Sequence, residues 1–304
     1  MITIRQMRYF EALASVRHFG KAAELVNVSQ PALSAQIRDM EEALGVSLVE
    51  RSRAGTFLTA EGEELLPEVR QILSSVERLM MRAKRARGLL QGRLRLGIIP
   101  TVAPYLVPVL IPALKQEFPD LDLELKEVMT DSCIGDLRAG KLDCAIVALP
   151  LDEDQIKAMP LFKDRFLIAS AEDENTVLMS PITQDQVDVE RLLLLEEGHC
   201  LRDQALAVCG TSAKRKVANY GATSMATLLQ MVSHGMGITL IPEIAARDEA
   251  ARSRMRIVPF ADPQPFRQIG LVWRRADLGR RADFEAFGKL VTEAADTLLG
   301  DDFE

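Results

Sequence analysis

Two short helical patterns lie almost end to end near the N-terminus, and their separation constrains the fold more than any other feature of the sequence. The first pattern covers residues 19–25, and residues 27–29 leave room only for a tight connection. The second begins with Ser29 as its N-cap, has Pro31 in its first turn, where the missing N–H is harmless, and ends at Gly45. Two helices joined this closely predict a helix-turn-helix.

The second of these helices presents two different faces. An apolar stripe indicates the side that packs into the core, and its members are Leu33, Ile37, Met40 and Leu44. Beside it, a polar stripe of Gln30, Ser34 and Arg38 recurs every four residues. Such side chains can reach base edges in the major groove of DNA, and a helix N-terminus favours a phosphate. The pattern indicates a DNA-reading helix, and a solvated helical hairpin with ordinary polar residues is the alternative.

Residues 48–59 predict a wing of two short strands around a basic, glycine-containing turn, with Arg51 and Arg53 placed to contact phosphates. The segment resembles the winged helix-turn-helix of the LysR-type transcriptional regulators, and the matching residues are Phe19, Lys21-Ala22-Ala23, Val28 to Ser34, Glu41, Leu44-Gly45 and Leu48. The resemblance implies that residues 1–59 form a domain that binds double-stranded promoter DNA. The residues expected at that contact are Ser29, Gln30, Pro31, Ser34, Arg38, Arg51 and Arg53.

The distribution of charge separates this N-terminal part from the rest of the chain. Residues 1–90 carry 13 Lys and Arg against 11 Asp and Glu, whereas the remainder carries 24 against 33. A chain of 304 residues is long enough for two domains, and this asymmetry is typical of a separate module with its own partner. Since the N-terminus lacks the apolar run of a signal peptide and no apolar stretch reaches eighteen residues, we expect a cytoplasmic protein without a membrane partner.

A long helical pattern over residues 60–90 follows the wing. Its apolar residues are spaced 4-3-4-3-4, and they are Leu65, Val69, Ile72, Val76, Leu79 and Ala83. Such a heptad seam predicts a linker helix that pairs with its copy in a second chain, so that two reading helices can address two half-sites. A helix that packs on its own domain is the alternative, and Pro67 is expected to kink or loosen its first turns.

From Gly92 onward, predicted strands alternate with predicted helices. The strands cover residues 94–100, 121–128, 141–149, 165–170, 192–195, 238–242 and 268–274, and the helices cover 105–118, 134–139, 225–234 and 244–250. This alternation predicts an α/β regulatory domain over residues 91–304 with a mainly parallel sheet. Because the pattern restarts after Leu161, we expect two Rossmann-like subdomains arranged as in periplasmic binding proteins. Subdomain I is expected at about 91–161 and 269–304 and subdomain II at about 162–268, with a ligand cleft between them.

Motifs of enzymes and cofactor-binding proteins are missing from the sequence. Gly235-Met236-Gly237 lacks the third glycine of a dinucleotide fingerprint, and there is no phosphate-binding loop. The three histidines, at positions 18, 199 and 234, are not spaced like metal ligands, and no other ligand-type residues stand near them in a metal-binding pattern. We therefore expect a protein that is not an enzyme and uses no metal or cofactor.

Two of the four cysteines, Cys200 and Cys209, lie nine positions apart, and the first stands beside His199. In a continuous helix nine residues turn the chain by about 900° and raise it by about 13.5 Å, which puts the two sulfurs on opposite faces. A disulfide requires Cα atoms about 4.4–6.8 Å apart, so a bond between them would require the segment to refold. In a reducing compartment such a pair is a candidate redox switch, and two buried thiols that never meet are the alternative.

The α/β part resembles the regulatory domain of LysR-type regulators and, among them, the OxyR-type hydrogen peroxide sensors. The matching residues are Gly97, Ile99 to Val102, Pro104 to Leu106, Gly140 to Cys144, Gly198 to Ala205, Ala222 to Ser224, Gly237 to Leu240 and Ile269 to Val272. The resemblance implies that peroxide oxidises Cys200 to a sulfenic acid and that Cys209 then closes a disulfide. The residues it implies around the peroxide are Thr101, Thr130, His199, Asp203 and Arg267. Thr101 is expected to orient peroxide, and Arg267 is expected to stabilise the thiolate.

The resemblance also implies a transcriptional regulator in which closure of the disulfide alters subunit contacts and DNA binding at oxidative-stress genes. The implied partners are promoter DNA, hydrogen peroxide, further copies of the chain in a dimer of dimers, RNA polymerase, and a thiol reductant such as glutaredoxin or thioredoxin. A LysR-type regulator that binds a small organic effector in the cleft and a thiol peroxidase are the alternatives. Cys133, three residues after Thr130, is a further candidate partner for a disulfide.

Overall fold

The computed structural model describes residues 1–52, 55–84, 89–172, 180–210 and 221–299. The chain forms two compact units, of which the first comprises Met1–Arg87 with Arg138–Lys141 and the second comprises Gly88–Leu137 with Leu142–Glu304. Each unit buries a hydrophobic core of its own.

The first unit is a helix-turn-helix followed by a wing and a long helix. Its elements are α1 (Ile4–Val16), α2 (Phe19–Leu25), α3 (Gln30–Leu44), β1 (Val49–Ser52), β2 (Gly55–Leu58) and α4 (Ala60–Lys84), and β1 pairs with β2 antiparallel. Helix α3 begins where predicted because Ser29 Oγ accepts a hydrogen bond from the Ala32 N–H at 3.4 Å, and it ends where Gly45 adopts a left-handed conformation. The residues of α3 buried in the core are Leu33, Ile37 and Met40, and Leu44 packs partly buried against them. The predicted helix and its core face are thus confirmed.

Helix α4 packs one of its faces within its own unit. The residues of α4 buried in that core are Leu66, Val69 and Leu73. Val69 therefore belongs to an inner face, as in the alternative interpretation of a helix that packs on its own domain. Ile72 and Leu79 of the predicted seam are exposed, so a second apolar face of α4 is uncovered within the described chain. The helix continues through Pro67 as one element.

The second unit alternates strands and helices around one large sheet. Its elements are β3 (Gly92–Ile98), α5 (Ala103–Glu117), β4 (Leu121–Glu127), α6 (Thr130–Arg138), β5 (Cys144–Leu149), β6 (Ile156–Ala171), β7 (Leu194–Leu195), α7 (Cys200–Val208), β8 (Gly221–Ala222), α8 (Met225–Ser233), β9 (Thr239–Pro242), α9 (Glu243–Arg252), β10 (Met255–Pro259), β11 (Phe266–Arg274) and α10 (Arg281–Asp296). The predicted α/β architecture is therefore confirmed.

The large sheet is mixed, so the expectation of a mainly parallel sheet is wrong. Its seven strands lie in the order β10-β6-β11-β5-β3-β4, with β9 also paired to β6. Strand β3 is parallel to β4 and β5, whereas β11 is antiparallel to β5 and β6, and β6 is antiparallel to β9 and β10. The antiparallel pairings arise because β11, from late in the chain, lies between β5 and β6 and runs opposite to both. Strands β9 and β10 also run opposite to β6.

Strands β6 and β11 pass through the positions at which the two subdomains are expected to join. Strand β6 runs through residues 161–162 without a break, and β11 pairs with it with one register shift, between Ile269 and Gly270. The register places Asp164 directly opposite Arg267. The division into subdomains stays a prediction, and the pairing of these two strands sets two opposite charges side by side.

Asp143, immediately before β5, is the centre of a buried charge cluster. It accepts hydrogen bonds from the Arg95 N–H at 2.8 Å and from Arg95 Nη2 at 3.0 Å, and Arg280 Nη1 lies 3.3 Å from its carboxylate. Burial alone would raise the pKa of Asp143, but the hydrogen bonds and charge of Arg95, together with the charge of Arg280, outweigh burial and lower it. The carboxylate therefore stabilises the fold in its ionised form.

We expect this cluster to make the stability of the protein depend on pH in the acid range. Because the pKa of Asp143 in the folded state lies below its unfolded value of about 3.9, its contribution is complete above that pH and is lost as the pH falls further. An Asp143→Asn variant should be less stable at pH 7 by about 3 kcal/mol and should lose less stability on acidification. Urea denaturation at several pH values measures both effects, with Asp122→Asn on the exposed face of β4 as the control. If acid lowers the free energy of unfolding equally in Asp143→Asn and in the unmodified chain, Asp143 is not the source of this pH dependence.

Candidate redox site and DNA-reading helix

A small cavity lies where the loop after β3, the start of α6 and the start of α7 meet. Its lining residues are Ile99, Pro100, Thr101, Met129, Thr130, Gly198, His199 and Cys200. It leaves about 10 Å³ for the centre of a water-sized molecule, which is roughly the room that one water needs. The structure thus brings together four of the residues expected around the peroxide, namely Thr101, Thr130, His199 and Cys200.

Two polar atoms on this cavity lack a hydrogen-bond partner within the described part of the chain. They are Thr130 Oγ1 and His199 Nε2, and both are buried. A buried polar atom without a partner costs about 1–3 kcal/mol, so a small guest that donates and accepts hydrogen bonds would relieve both. Gly198 adopts a φ of 93°, which favours glycine, and this turn sets His199 and Cys200 at the first turn of α7. The cavity therefore presents unsatisfied polar atoms next to Cys200.

Arg267 reaches the same cavity through Thr101. Its Nη1 donates a hydrogen bond to Thr101 Oγ1 at 2.8 Å, and its Nη2 donates to the Thr101 carbonyl at 3.2 Å. The other side of the guanidinium is bound by Asp164, whose Oδ2 accepts from Arg267 Nε at 2.9 Å. Among the described residues, Arg267 donates hydrogen bonds to Thr101 and Asp164, and it donates none to Cys200. Arg267 therefore contacts the cavity through Thr101, one of its lining residues.

Asp203 lies on α7 outside the small cavity. Its side chain is exposed and lines a wider cleft of about 560 Å³, which also borders Cys200 and Arg267. Phe166, Leu149 and Val208 contribute apolar surface to this cleft. Cys200 and Thr130 thus line both the small cavity and the wider cleft, whereas Asp203 and Arg267 line only the wider cleft.

The two cysteines of the candidate switch mark the ends of α7. Cys200 is the first residue of the helix, Cys209 is its C-cap, and both are half-buried free thiols. Burial raises the pKa of the Cys209 thiol to about 11. Along the helix the two positions are separated by about 13.5 Å, more than a disulfide can span. Arg202, two residues after Cys200, donates from Nη1 to the Leu195 carbonyl at 3.0 Å, which is ordinary polar packing.

The other two cysteines lie in the core of the second unit. Burial raises the pKa of Cys133 to about 12, with a smaller contribution from the nearby Asp136 carboxylate, and burial also raises the pKa of Cys144. The Cys133 thiol donates to the Val128 carbonyl at 3.6 Å. Both are fully buried, and neither lines the small cavity.

Sequence reasoning did not find Asp164, although the sequence carries a signal for it. The β6 segment reads Phe162-Lys163-Asp164-Arg165-Phe166, and the period of two in a strand puts Asp164 on the same face as the two phenylalanines. Both phenylalanines and Asp164 are buried. A carboxylate on the apolar face of a strand needs a cationic partner, and that requirement predicts a buried arginine or lysine opposite it.

The predicted DNA-reading residues of the helix-turn-helix lie at the N-cap and in the first three turns of α3. Gln30 and Arg38 are exposed, Ser34 is half-buried, and Pro31 lies in the first turn. Ser29 caps the helix with its hydroxyl. In the wing, Arg51 lies in β1, while its side chain and the whole of Arg53 lie outside the described residues.

Both units match models of one protein family. Residues 4–63 match the bacterial regulatory helix-turn-helix protein of the lysR family, and residues 87–296 match the LysR substrate binding domain. The chain therefore belongs to the LysR family of bacterial regulatory proteins. No helix among the described residues is long and apolar enough to span a membrane, and the same residues hold no group of three or more His, Cys, Asp or Glu side chains that could bind a metal.

Within this family the chain is of the OxyR type. It is 38% identical to the hydrogen peroxide-inducible genes activator of Haemophilus influenzae over 273 residues, which are 90% of this chain and 91% of that one. It is similar to full-length OxyR of Pseudomonas aeruginosa, a cysteine-to-aspartate variant, with a TM-score of 0.80 at 33% identity over 96% of this chain and 98% of the other. A cysteine-to-serine variant of Corynebacterium glutamicum OxyR with bound hydrogen peroxide gives a TM-score of 0.67 at 34% identity, over 98% and 96% of the two chains. The expected fold class and family are confirmed.

Proposed function

We propose that this chain is a DNA-binding transcriptional regulator that senses hydrogen peroxide through a reversible Cys200–Cys209 disulfide and controls oxidative-stress genes. The observation that carries the proposal is the small cavity beside Cys200, with room for one small molecule and with two buried polar atoms that lack partners. Peroxide can donate and accept hydrogen bonds at once, so it suits Thr130 Oγ1 and His199 Nε2. The similarity to an OxyR structure with bound peroxide supports the same ligand.

The proposed chemistry begins at the Cys200 thiolate. Its sulfur attacks one peroxide oxygen, the O–O bond breaks, and the products are a sulfenic acid and a hydroxide that takes up a proton to become water. Thr101, Thr130 and His199 hold the peroxide in place. Arg267 contributes through its hydrogen bonds to Thr101, and Asp203 approaches from the wider cleft. Cys209 then attacks the sulfenic sulfur, a disulfide forms, and water leaves.

The geometry of α7 turns this reaction into a conformational switch. Because Cys200 and Cys209 stand at opposite ends of a helix, the disulfide cannot close while residues 200–208 remain helical. Closure therefore unwinds the helix and alters the surface around it. We propose that this change alters contacts between subunits and, through them, the spacing or affinity with which the reading helices hold DNA.

The first unit supplies the DNA contact and one subunit contact in this proposal. Gln30, Ser34 and Arg38 of α3 read promoter DNA, and the exposed face of α4 with Ile72 and Leu79 pairs with a second copy. Two such dimers form the dimer of dimers. RNA polymerase at the promoter and a thiol reductant, glutaredoxin or thioredoxin, complete the set of proposed partners.

Mapping of the cysteines tests the proposal directly. After a short peroxide pulse on the reduced full-length protein, we expect one new linkage between the peptides that carry Cys200 and Cys209, reversed by dithiothreitol. Alkylation followed by mass spectrometry measures it, with Cys144, which is buried and does not line the cavity, as the internal control. A linkage of Cys200 to Cys133, or a Cys200 that stays reduced, would contradict the proposed switch.

A second candidate function is supported by the size of the wider cleft. Its volume of about 560 Å³ and its mixed apolar and polar lining suit a small organic effector. Promoter mobility shifts with and without dithiothreitol separate the two functions. A shift that dithiothreitol reverses, without any added organic ligand, favours the thiol switch, whereas a dithiothreitol-insensitive shift that requires a small organic acid favours the effector.

A further inference from the structure

Asp164 is fully buried at the point where β6 faces β11, and both of its oxygens are occupied. Oδ2 accepts hydrogen bonds from Arg267 Nε at 2.9 Å and lies 2.8 Å from Arg267 Nη2. Oδ1 accepts from the Ile244 N–H, in the first turn of α9, at 3.1 Å. The side chains of Asp164 and Arg267 are 0% and 1% exposed, so water does not compete for either. The carboxylate therefore fixes the plane of the guanidinium.

The fixed guanidinium in turn decides which way the Thr101 hydroxyl points. Because Thr101 Oγ1 accepts a hydrogen bond from Arg267 Nη1 at 2.8 Å, the hydroxyl proton is left to donate elsewhere. Within the described chain no acceptor for that proton is seen, and Thr101 lines the small cavity beside Cys200. Asp164 thus holds Arg267, and Arg267 holds Thr101, so that the Thr101 hydroxyl can donate its proton into the cavity.

We propose that Asp164 is a positioning residue for peroxide reduction at Cys200, because it orients Arg267 so that the Thr101 hydroxyl donates to the bound peroxide. The inference rests on the proposed peroxide function. In the reaction the sulfur–oxygen bond forms as the oxygen–oxygen bond breaks, the thiolate is oxidised, and the leaving oxygen departs as hydroxide and takes a proton from water. The hydrogen bond from Thr101 stabilises the negative charge that develops on this leaving oxygen.

Asp164→Asn tests the inference because it removes the charge with little change in shape. The amide has a single acceptor oxygen, so either the Arg267 donors or the Ile244 N–H must face its NH2 group, and the charge that holds the guanidinium is lost. We expect the maximal rate of Cys200 oxidation to fall by about tenfold or more, while the half-saturating peroxide concentration changes little, since the lost interaction acts on the transition state. Rapid quenching of full-length protein across a range of peroxide concentrations, with mass spectrometry of Cys200, gives both quantities.

Two control variants separate orientation from general damage to the fold. Glu243 is also a buried carboxylate, it precedes Ile244 in α9, and it accepts from Arg165 Nε at 2.8 Å; neither residue lines the small cavity. Glu243→Gln should leave the oxidation rate unchanged, and Asp164→Glu should restore a large part of it. If Asp164→Asn does not fold, Arg267→Lys gives the same test, because a single ammonium cannot bridge Asp164 and Thr101 as the guanidinium does.

A double variant decides whether Asp164 acts through Thr101. Thr101→Val alone should slow oxidation, and adding Asp164→Asn should slow it no further, because both changes remove the same hydrogen bond. Additive losses, or an equal loss in Glu243→Gln, would overturn the inference while leaving the peroxide function intact. A wild-type Cys200 that peroxide does not oxidise would instead refute the proposed function.

Discussion

A Cys200→Ser variant is expected to fold and bind promoter DNA but to lose its response to peroxide completely. Serine has nearly the same size as cysteine, yet its hydroxyl is not ionised near neutral pH and cannot form a disulfide. The position is half-buried at the first residue of α7, at the edge of the core, so an isosteric change there disturbs little packing. Promoter mobility shifts and reporter transcription before and after a peroxide pulse measure the response.

Two further cysteine variants sharpen this test. Cys209→Ser should stop the reaction at the sulfenic acid, which dimedone-type reagents label, because the second thiol is missing. Cys144→Ala removes a thiol that is fully buried in β5 and should respond like the unmodified chain. A normal peroxide response in Cys200→Ser would show that the thiols are incidental and would favour an effector in the wider cleft.

A Gln30→Ala variant is expected to weaken specific promoter binding by about one to two orders of magnitude, since a well-formed contact between a side chain and a base contributes about 1–3 kcal/mol of discrimination. Gln30 is exposed in the first turn of α3, where side chains can enter the major groove. Binding to unrelated DNA should change little, because phosphate contacts carry that part of the affinity. Competition titrations with specific and nonspecific duplexes measure the affinity for the promoter and the affinity for unrelated DNA.

Gln36 on the same helix provides the matched control. It lies off the polar stripe, and its Nε2 donates to Asp39 Oδ2 at 3.0 Å. Gln36→Ala should therefore change specific binding less than twofold, well below the discrimination expected of a base contact. Equal losses in Gln30→Ala and Gln36→Ala would mean that the stripe of Gln30, Ser34 and Arg38 does not read DNA.

The parts of the fold that the sequence predicted well depend on interactions between near neighbours. Helix α3 has its predicted cap at Ser29 and its predicted end at Gly45, because capping and a left-handed glycine act within a single turn. The heptad pattern of α4 was less informative. A period of 3.5 residues identifies an apolar stripe but not what covers it, and Val69 proved to pack inside its own unit while Ile72 and Leu79 are exposed.

The candidate site was predicted only in part, for a related reason. Spacing and resemblance selected Thr101, Thr130, His199 and Cys200, and the structure brings these four together around one cavity. They did not reveal that the charge of Arg267 is bound by Asp164, because that pair is separated by 103 positions and meets only through the register of β6 and β11. A buried charge on the apolar face of a strand indicates that a partner exists without saying which residue it is.

The sequence by itself determined the helix-turn-helix, the alternation of strands and helices, and the nine-residue separation of Cys200 and Cys209, because periodicity, capping and helical rise are local properties. The tertiary structure alone decided that the sheet is mixed and which polar groups meet beside the thiol. Thr101 and Arg267 lie 166 positions apart in the chain and 2.8 Å apart in space. Strand pairing creates such contacts, and its partners and register depend on how the whole chain packs.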